Sequence, residues 1–246
     1  MIPVATLSKA NEPEHFDKNC RVPGATFLSK RPEKDPHEKS EWWSAFKPKL
    51  AEHFHHRCGW LATPIGLHGD VDHFLSCGHR SGSPSPHRSS AFEWTNFRYI
   101  CGTVNSRKGS LDDQVLDPCE IGTGWFEVIL PSFQLIATKL IPTAALHAKA
   151  KFTLEELDLR RGFEARWARW DVYRRHWNGG NPNVLALAED APLIAEAVQR
   201  IQTSGQALPD PTSIRPRHRI SVRKVPYAPR VSRSTANPLN TPAPPP

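Results

Sequence analysis

No run of about 18 apolar residues occurs in the 246-residue chain, so nothing in it predicts a membrane span. The opening MIPVATLSKANEPEHF has no apolar core of the kind a signal peptide needs. Its five cysteines stand at irregular intervals and predict no disulfide framework. Together these absences place the chain in a reducing cytoplasm. Apolar content is low at 38%, and the 24 prolines are well above ordinary usage, so part of the chain is expected to stay outside a packed core. Acids are scarce at one end. From Ala207 to Pro246 only Asp210 stands against Arg215, Arg217, Arg219, Arg223, Lys224, Arg230 and Arg233. That segment holds +6 of the net +7, which leaves the body nearly neutral. A solvated end and a nucleic-acid-binding end both fit such a segment.

What is present suits one or two domains. Residues 1–39, punctuated by Pro3, Pro13, Pro23, Pro32 and Pro36, predict an extended arm. From Ser40 to Phe54 the spacing of Trp43, Phe46, Leu50 and Phe54 predicts one helix face, with Ser40 as its cap and Pro48 kinking or splitting it. Cys58 to Phe74 reads as a hairpin with turn residues at Pro64, Gly66 and Gly69. Leu75 to Ser90 reads as a loop able to lie along a phosphate backbone or simply to flex. Phe92, Trp94, Phe97, Tyr99 and Ile100 are core candidates, and 102–109 has the length of one or two helical turns. GWFEVILP reads as a strand. Thr153 with Glu156 predicts a helix start. Phe163, Trp167, Trp170, Tyr173 and Trp177 form a core-facing aromatic stripe, with Arg160, Arg161, Arg166, Arg169, Arg174 and Arg175 opposite. The segment from Asn178 to Pro182 stops that helix, and Pro192 restarts one.

The chemistry concentrates between Gly69 and Ser110. Asp72 and His73 stand in GDVDHF. Asn96 follows in WTNFRYICGTVNSRKGS, with Asn105 nine residues later and Lys108 three after that. A histidine can take a proton from water near neutral pH, which makes His73 a candidate general base. Asp72 offers a carboxylate and Asn105 a carbonyl to a hard cation such as Mg²⁺ or Mn²⁺ that prefers oxygen. Asn96 can hold the His73 tautomer. Lys108, one turn beyond Asn105, is placed to reach the same phosphate. Adjacent strand residues face opposite ways, so Asp72 and His73 share a site only where the strand ends or bulges.

The DH pair followed by N-x8-N-x2-K-G resembles the HNH (ββα-metal) endonuclease motif over about Cys58 to Gly109, and its intervals after Asn96 are similar to those of the HNH domain of RNA-guided DNA nucleases. The flanks FKPKLAEHFHHRCGW, VLDPCE and LEELDLRRGFEARW are similar to PtuB-like and retron-associated anti-phage HNH proteins. The resemblance implies metal-dependent cleavage of DNA, with RNA as a further substrate class, and a partner ATPase. It implies Asp72 and Asn105 as metal ligands, His73 as base and Asn96 as the residue that positions it. An inactive nucleic-acid-binding or adaptor protein that keeps the same shell is the alternative.

Two departures from that pattern stand out. Each CxxC knuckle keeps one cysteine: Cys58 is followed by Gly59, Trp60 and Leu61, and Cys101 by Gly102, Thr103 and Val104. Two thiolates do not complete a structural zinc site. Trp60, Leu61 and Val104 are therefore expected to pack there, with Cys77, His79 or a histidine of 53–56 as the alternative ligands. Leu75 and Ser76 stand where Pro-Lys often follows the DHF. The expected architecture is α+β: a ββα-metal HNH core (40–130) with flanking helices, a helical C-terminal region (131–206) and a disordered basic, proline-rich tail (207–246).

Overall fold

A computed structural model describes residues 1–79 and 83–217. The chain is α+β, mixing helices with small antiparallel sheets, each of two strands. No helix among the described residues is long and apolar enough to cross a membrane.

The first 39 residues are not an extended arm. Residues Asp17–Arg21 form a wide helical turn that runs into α1 (Val22–Lys30). Phe16, Cys20 and Phe27 are buried with Trp43, Phe92, Trp94 and Phe97 in one apolar cluster. These contacts join residues far apart in sequence, which no local pattern announces. At Gly24 a Cβ would lie 2.1 Å from the Phe92 ring, so only glycine lets α1 come so close. Arg21 fixes the arm further, pairing with Glu12, Asp17 and Glu93.

The helix read over Ser40 to Phe54 is split, into α2 (Ser40–Ser44) and α3 (Lys47–His53), with Pro48 in the first turn of the second. Trp43, Phe46, Leu50 and Phe54 are all buried. Ser40 is not a cap, because α2 continues directly from a short turn at Pro36–Lys39.

Residues 58–74 do not form a hairpin of their own. β1 (Asp70–His73) pairs antiparallel with the distant β2 (Phe97–Ile100), Asp72 opposite Arg98 and His73 opposite Phe97. Within 57–64 there is only a single bridge between Arg57 and Pro64. α4 (Gly102–Lys108) follows β2 directly, giving the order strand, strand, helix. β2 is buried on both faces: Phe97 and Tyr99 enter the N-terminal cluster, while Ile100 joins a second cluster with Trp60, Leu61 and Val104. Arg98 forms a buried ion pair with Asp117 that anchors β2 to the following segment.

The second cluster continues through β3 (Phe126–Ile129), β4 (Gln134–Ala137), α5 (Ala144–Glu156), α6 (Phe163–Arg175), α7 (Val184–Asp190) and α8 (Pro192–Thr203). α5 starts nine residues before the expected Thr153. Its cap is Thr143, whose hydroxyl accepts from the Leu146 amide. Thr153 instead accepts the Leu116 amide at 2.8 Å and donates to the Lys149 carbonyl. On α6, Trp170 and Tyr173 are buried while Phe163 and Trp167 are only half-buried. Arg169 departs from the solvated arginine face: it is buried and donates to the carbonyls of Phe133 and Leu159. The tail does not begin at 207. Leu208 and Ile214 pack on the core, and the Pro209 and Pro211 carbonyls accept from Tyr173 and Trp170. The rest of that tail, 218–246, lies outside the described residues.

Candidate functional site

β1 brings two acids to one face because alternate strand residues point the same way. Asp70 and Asp72 both line a cleft of about 620 Å³ at the end of the strand. His73 lines it too, although it follows Asp72 directly. β1 ends at His73, so the cleft wraps round the strand end and receives side chains from both faces. Asn105, from the middle of α4, completes one wall, and its Nδ2 lies 3.5 Å from Asp70 Oδ2. With the amide nitrogen turned to Asp70, the amide oxygen is the atom able to ligate a cation.

His73 is buried between the rings of Trp43, Phe97 and His37, with centroids 4.8, 5.3 and 5.5 Å away. Its Nε2 lies 2.8 Å from the Ala91 carbonyl. A carbonyl only accepts, so Nε2 carries the proton and Nδ1 holds the lone pair. Burial lowers the His73 pKa to about 4, against the raising effect of the Ala91 carbonyl, so the ring is neutral at pH 7.

Asp72 is buried beside Lys108. Burial pushes its pKa up to about 6, and the Lys108 ammonium limits the rise. Lys108 Nζ donates to Asp72 Oδ1 at 3.2 Å and to the His73 carbonyl at 2.9 Å. It lies 3.0 Å from Asp72 Oδ2, but Oδ2 accepts no hydrogen bond.

Two expected roles change with this geometry. Lys108 is fully buried, under the Phe74 ring and the Asp72 carboxylate, so it neutralises Asp72 from beneath and does not reach into the cleft for a phosphate. Asn96 does not hold the His73 tautomer. Its amide accepts from the Leu75 N–H at 2.8 Å and donates to the carbonyls of Leu75 and Ser90. It therefore pins the loop that leaves β1 to the turn carrying Ala91, and the tautomer is held by Ala91 itself. A backbone carbonyl leaves no trace in a side-chain pattern. Asp70 did leave one, two residues before Asp72 in GDVDHF, as did His37, in a segment whose prolines predict an extended arm.

The oxygen donors of the cleft are of the kind a divalent cation takes. Asp72 Oδ2 is a buried carboxylate oxygen without a hydrogen bond, and Asp70 and Asn105 supply further oxygens to the same cleft. Hard cations take such oxygens and keep several waters. Among the described residues no three His, Cys, Asp or Glu side chains converge as a closed metal site. The neighbouring Cys58 thiol pushes the Cys101 pKa down, and Trp60, Leu61 and Val104 are buried in the cluster that contains Cys58. Cys77 lies elsewhere, against the Asn96 amide.

No protein-family model, curated protein or solved structure matches the chain.

Proposed function

We propose that the chain is a metal-dependent nuclease of the HNH (ββα-metal) type that hydrolyses phosphodiester bonds in DNA. The observation that carries the reading is the convergence of Asp72, His73 and Asn105 on one cleft, with the proton of His73 locked on Nε2 by the Ala91 carbonyl. That lock leaves Nδ1 unprotonated, so His73 takes the proton from the attacking water. Asp72 and Asn105, joined by Asp70, would hold Mg²⁺ or Mn²⁺. A bound cation supplies charge relief at the departing oxygen. Lys108 keeps the buried Asp72 ionised, and Asn96 fixes the loop and turn that orient His73.

An anti-phage role with a partner ATPase, in the cytoplasm, accompanies this reading through the sequence resemblance alone. One observation favours a second reading, a nucleic-acid-binding or adaptor protein without catalysis: the Lys108 ammonium already lies against the carboxylate that a cation would use. A nicking assay on supercoiled DNA with Mg²⁺, Mn²⁺ and EDTA, wild type against His73→Ala, decides between them. Metal-dependent nicking lost in the variant supports the nuclease. Nicking that persists in a clean variant preparation, or none in the wild type with either metal, overturns it.

A further inference from the structure

The cleft has a second wall, made by the N-terminal arm. Pro36–Lys39 forms one short turn whose first amide is capped by Asp35. The turn carries His37 to the cleft edge, with its ring edge-on to His73 at 78° and 5.5 Å between centroids. His37 rests on Gly78, where a Cβ would lie 2.9 Å from its Cε1 and 3.0 Å from its Nδ1. Asp35 Oδ1 accepts from both the backbone amide and Nδ1 of His37, each at 2.8 Å, and its Oδ2 accepts the His79 amide at 2.7 Å. Partial burial acts to raise the Asp35 pKa, but these bonds outweigh it and hold it at about 2. A carboxylate only accepts, so His37 Nδ1 carries a proton and Nε2 is the nitrogen left for a ligand.

The charge balance of the cleft gives this arrangement a task. Hydrolysis develops negative charge on the phosphoryl oxygens, and preorganised donors aimed at them are a large part of catalysis. Lys108 is fully buried, and neither Lys nor Arg is among the described residues that line the cleft. The His37 side chain is 54% exposed and stands beside the base.

We propose that His37, held by Asp35, is the residue that contacts the scissile phosphodiester. It keeps Nδ1 on Asp35 and donates from Nε2 to a non-bridging phosphate oxygen. No bond to phosphorus forms or breaks through it. The inference rests on the nuclease reading of the cleft and supplies the donor that Lys108 does not.

Two measurements on the full chain test it. In EDTA, a short single-stranded oligodeoxynucleotide is titrated into protein labelled with ¹⁵N at histidine. The His37 Nε2 resonance is expected to move, and to move less in Asp35→Asn; no movement overturns the proposal. In Mg²⁺, single-turnover cleavage is followed on an oligonucleotide carrying an Rp or Sp phosphorothioate at the cleaved bond. His37→Ala is expected to be about 10²-fold slower, the usual loss for one such donor. Sulfur at the oxygen that His37 holds is expected to slow the wild type and not to slow His37→Ala further. An undiminished sulfur effect in the variant overturns the contact, because a merely structural role leaves that effect unchanged. Gly78→Ala, which pushes the ring aside without altering it, is expected to behave as His37→Ala does. If the wild type cleaves nothing while Nε2 still moves, the nuclease reading falls and the phosphodiester contact stands.

Discussion

Burial moves the two neighbouring groups at the end of β1 in opposite directions, Asp72 up to about 6 and His73 down to about 4. Between pH 6 and 4 the folded state takes a proton on Asp72 that the unfolded chain, with its ordinary value of 3.8, does not. Asp72 therefore makes the fold more stable as pH falls through that window. Between pH 6.5 and 4 the unfolded chain protonates His73 and the folded state does not, so His73 makes the fold less stable as pH falls. Each effect is on the order of 2–3 kcal/mol, and in the wild type they largely cancel. Measured in EDTA against the wild type, His73→Ala is expected to gain stability on acidification from pH 6 to 4. Asp72→Asn is expected to lose it from pH 6.5 to 4. Urea midpoints across pH check this, and slopes of the same sign in both variants refute it. Lys108 gives a second prediction at this scale. Lys108→Met leaves Asp72 as a buried charge without its cation and is expected to cost about 3–5 kcal/mol. Adding Asp72→Asn is expected to recover most of that, because the uncompensated charge is then gone.

Among the elements, the link between the arm and the loop after β1 decides whether His37 stays in the cleft. Arg88 donates to the carbonyls of Leu28, Arg31 and Lys34, which closes the end of α1 and the bend after it onto the turn before Ala91. Arg88→Ala removes all of these charge-assisted bonds, each worth about 1.5–3 kcal/mol where it forms fully. Amide exchange is expected to quicken across 31–38 while β1 and β2 stay protected. Uniform quickening across the molecule would show that the arm is not a separate cooperative unit. This joint also marks what could be read in the sequence. The strand at Asp72 and His73 and the short helix after it were legible because their residue patterns are local, and so was the division of the helix near Pro48; the partner of that strand was not, because the expected hairpin within 58–74 gives way to pairing with Phe97–Ile100. The arm was not legible, since Phe16 meets Trp94 and Arg88 meets Leu28 across spans that no periodicity reports. The start of α5 was misplaced because Thr143 and Thr153 are both competent caps. The choice between them is tertiary, with the Thr153 hydroxyl claimed by the Leu116 amide. The burial of Lys108 was hidden for the same reason: spacing puts it on the Asn105 face of α4, and only the packing of Phe74 shows that this face is covered at its end.

Across the whole molecule, the basic C-terminal stretch divides into two parts with different work. Residues 207–217 belong to the fold. Trp170 donates to Pro211 and Tyr173 to Pro209, each at 2.8 Å, and Arg215 stacks 4.7 Å from the centre of Trp167. Beyond them the sequence adds Arg219, Arg223, Lys224, Arg230 and Arg233 and no acid. A chain ending at Arg217 is therefore expected to melt with the full-length protein. One ending at Gln206 is expected to melt earlier, since two donors lose their acceptors at about 1–3 kcal/mol each and the aromatic face of α6 is uncovered. DNA affinity is expected to divide the other way. Each phosphate that a cationic side chain neutralises steepens the fall of log Kobs with log salt by about 0.9 on duplex DNA. Loss of the five cations after 217 is then expected to flatten that slope by up to roughly 4–5 if all of them reach phosphates. The proposed metal-dependent cleavage at His73 is expected to persist once protein is in excess. An unchanged slope in the chain ending at Arg217 would mean that these cations meet only water. Phosphate binding would then rest on the folded body.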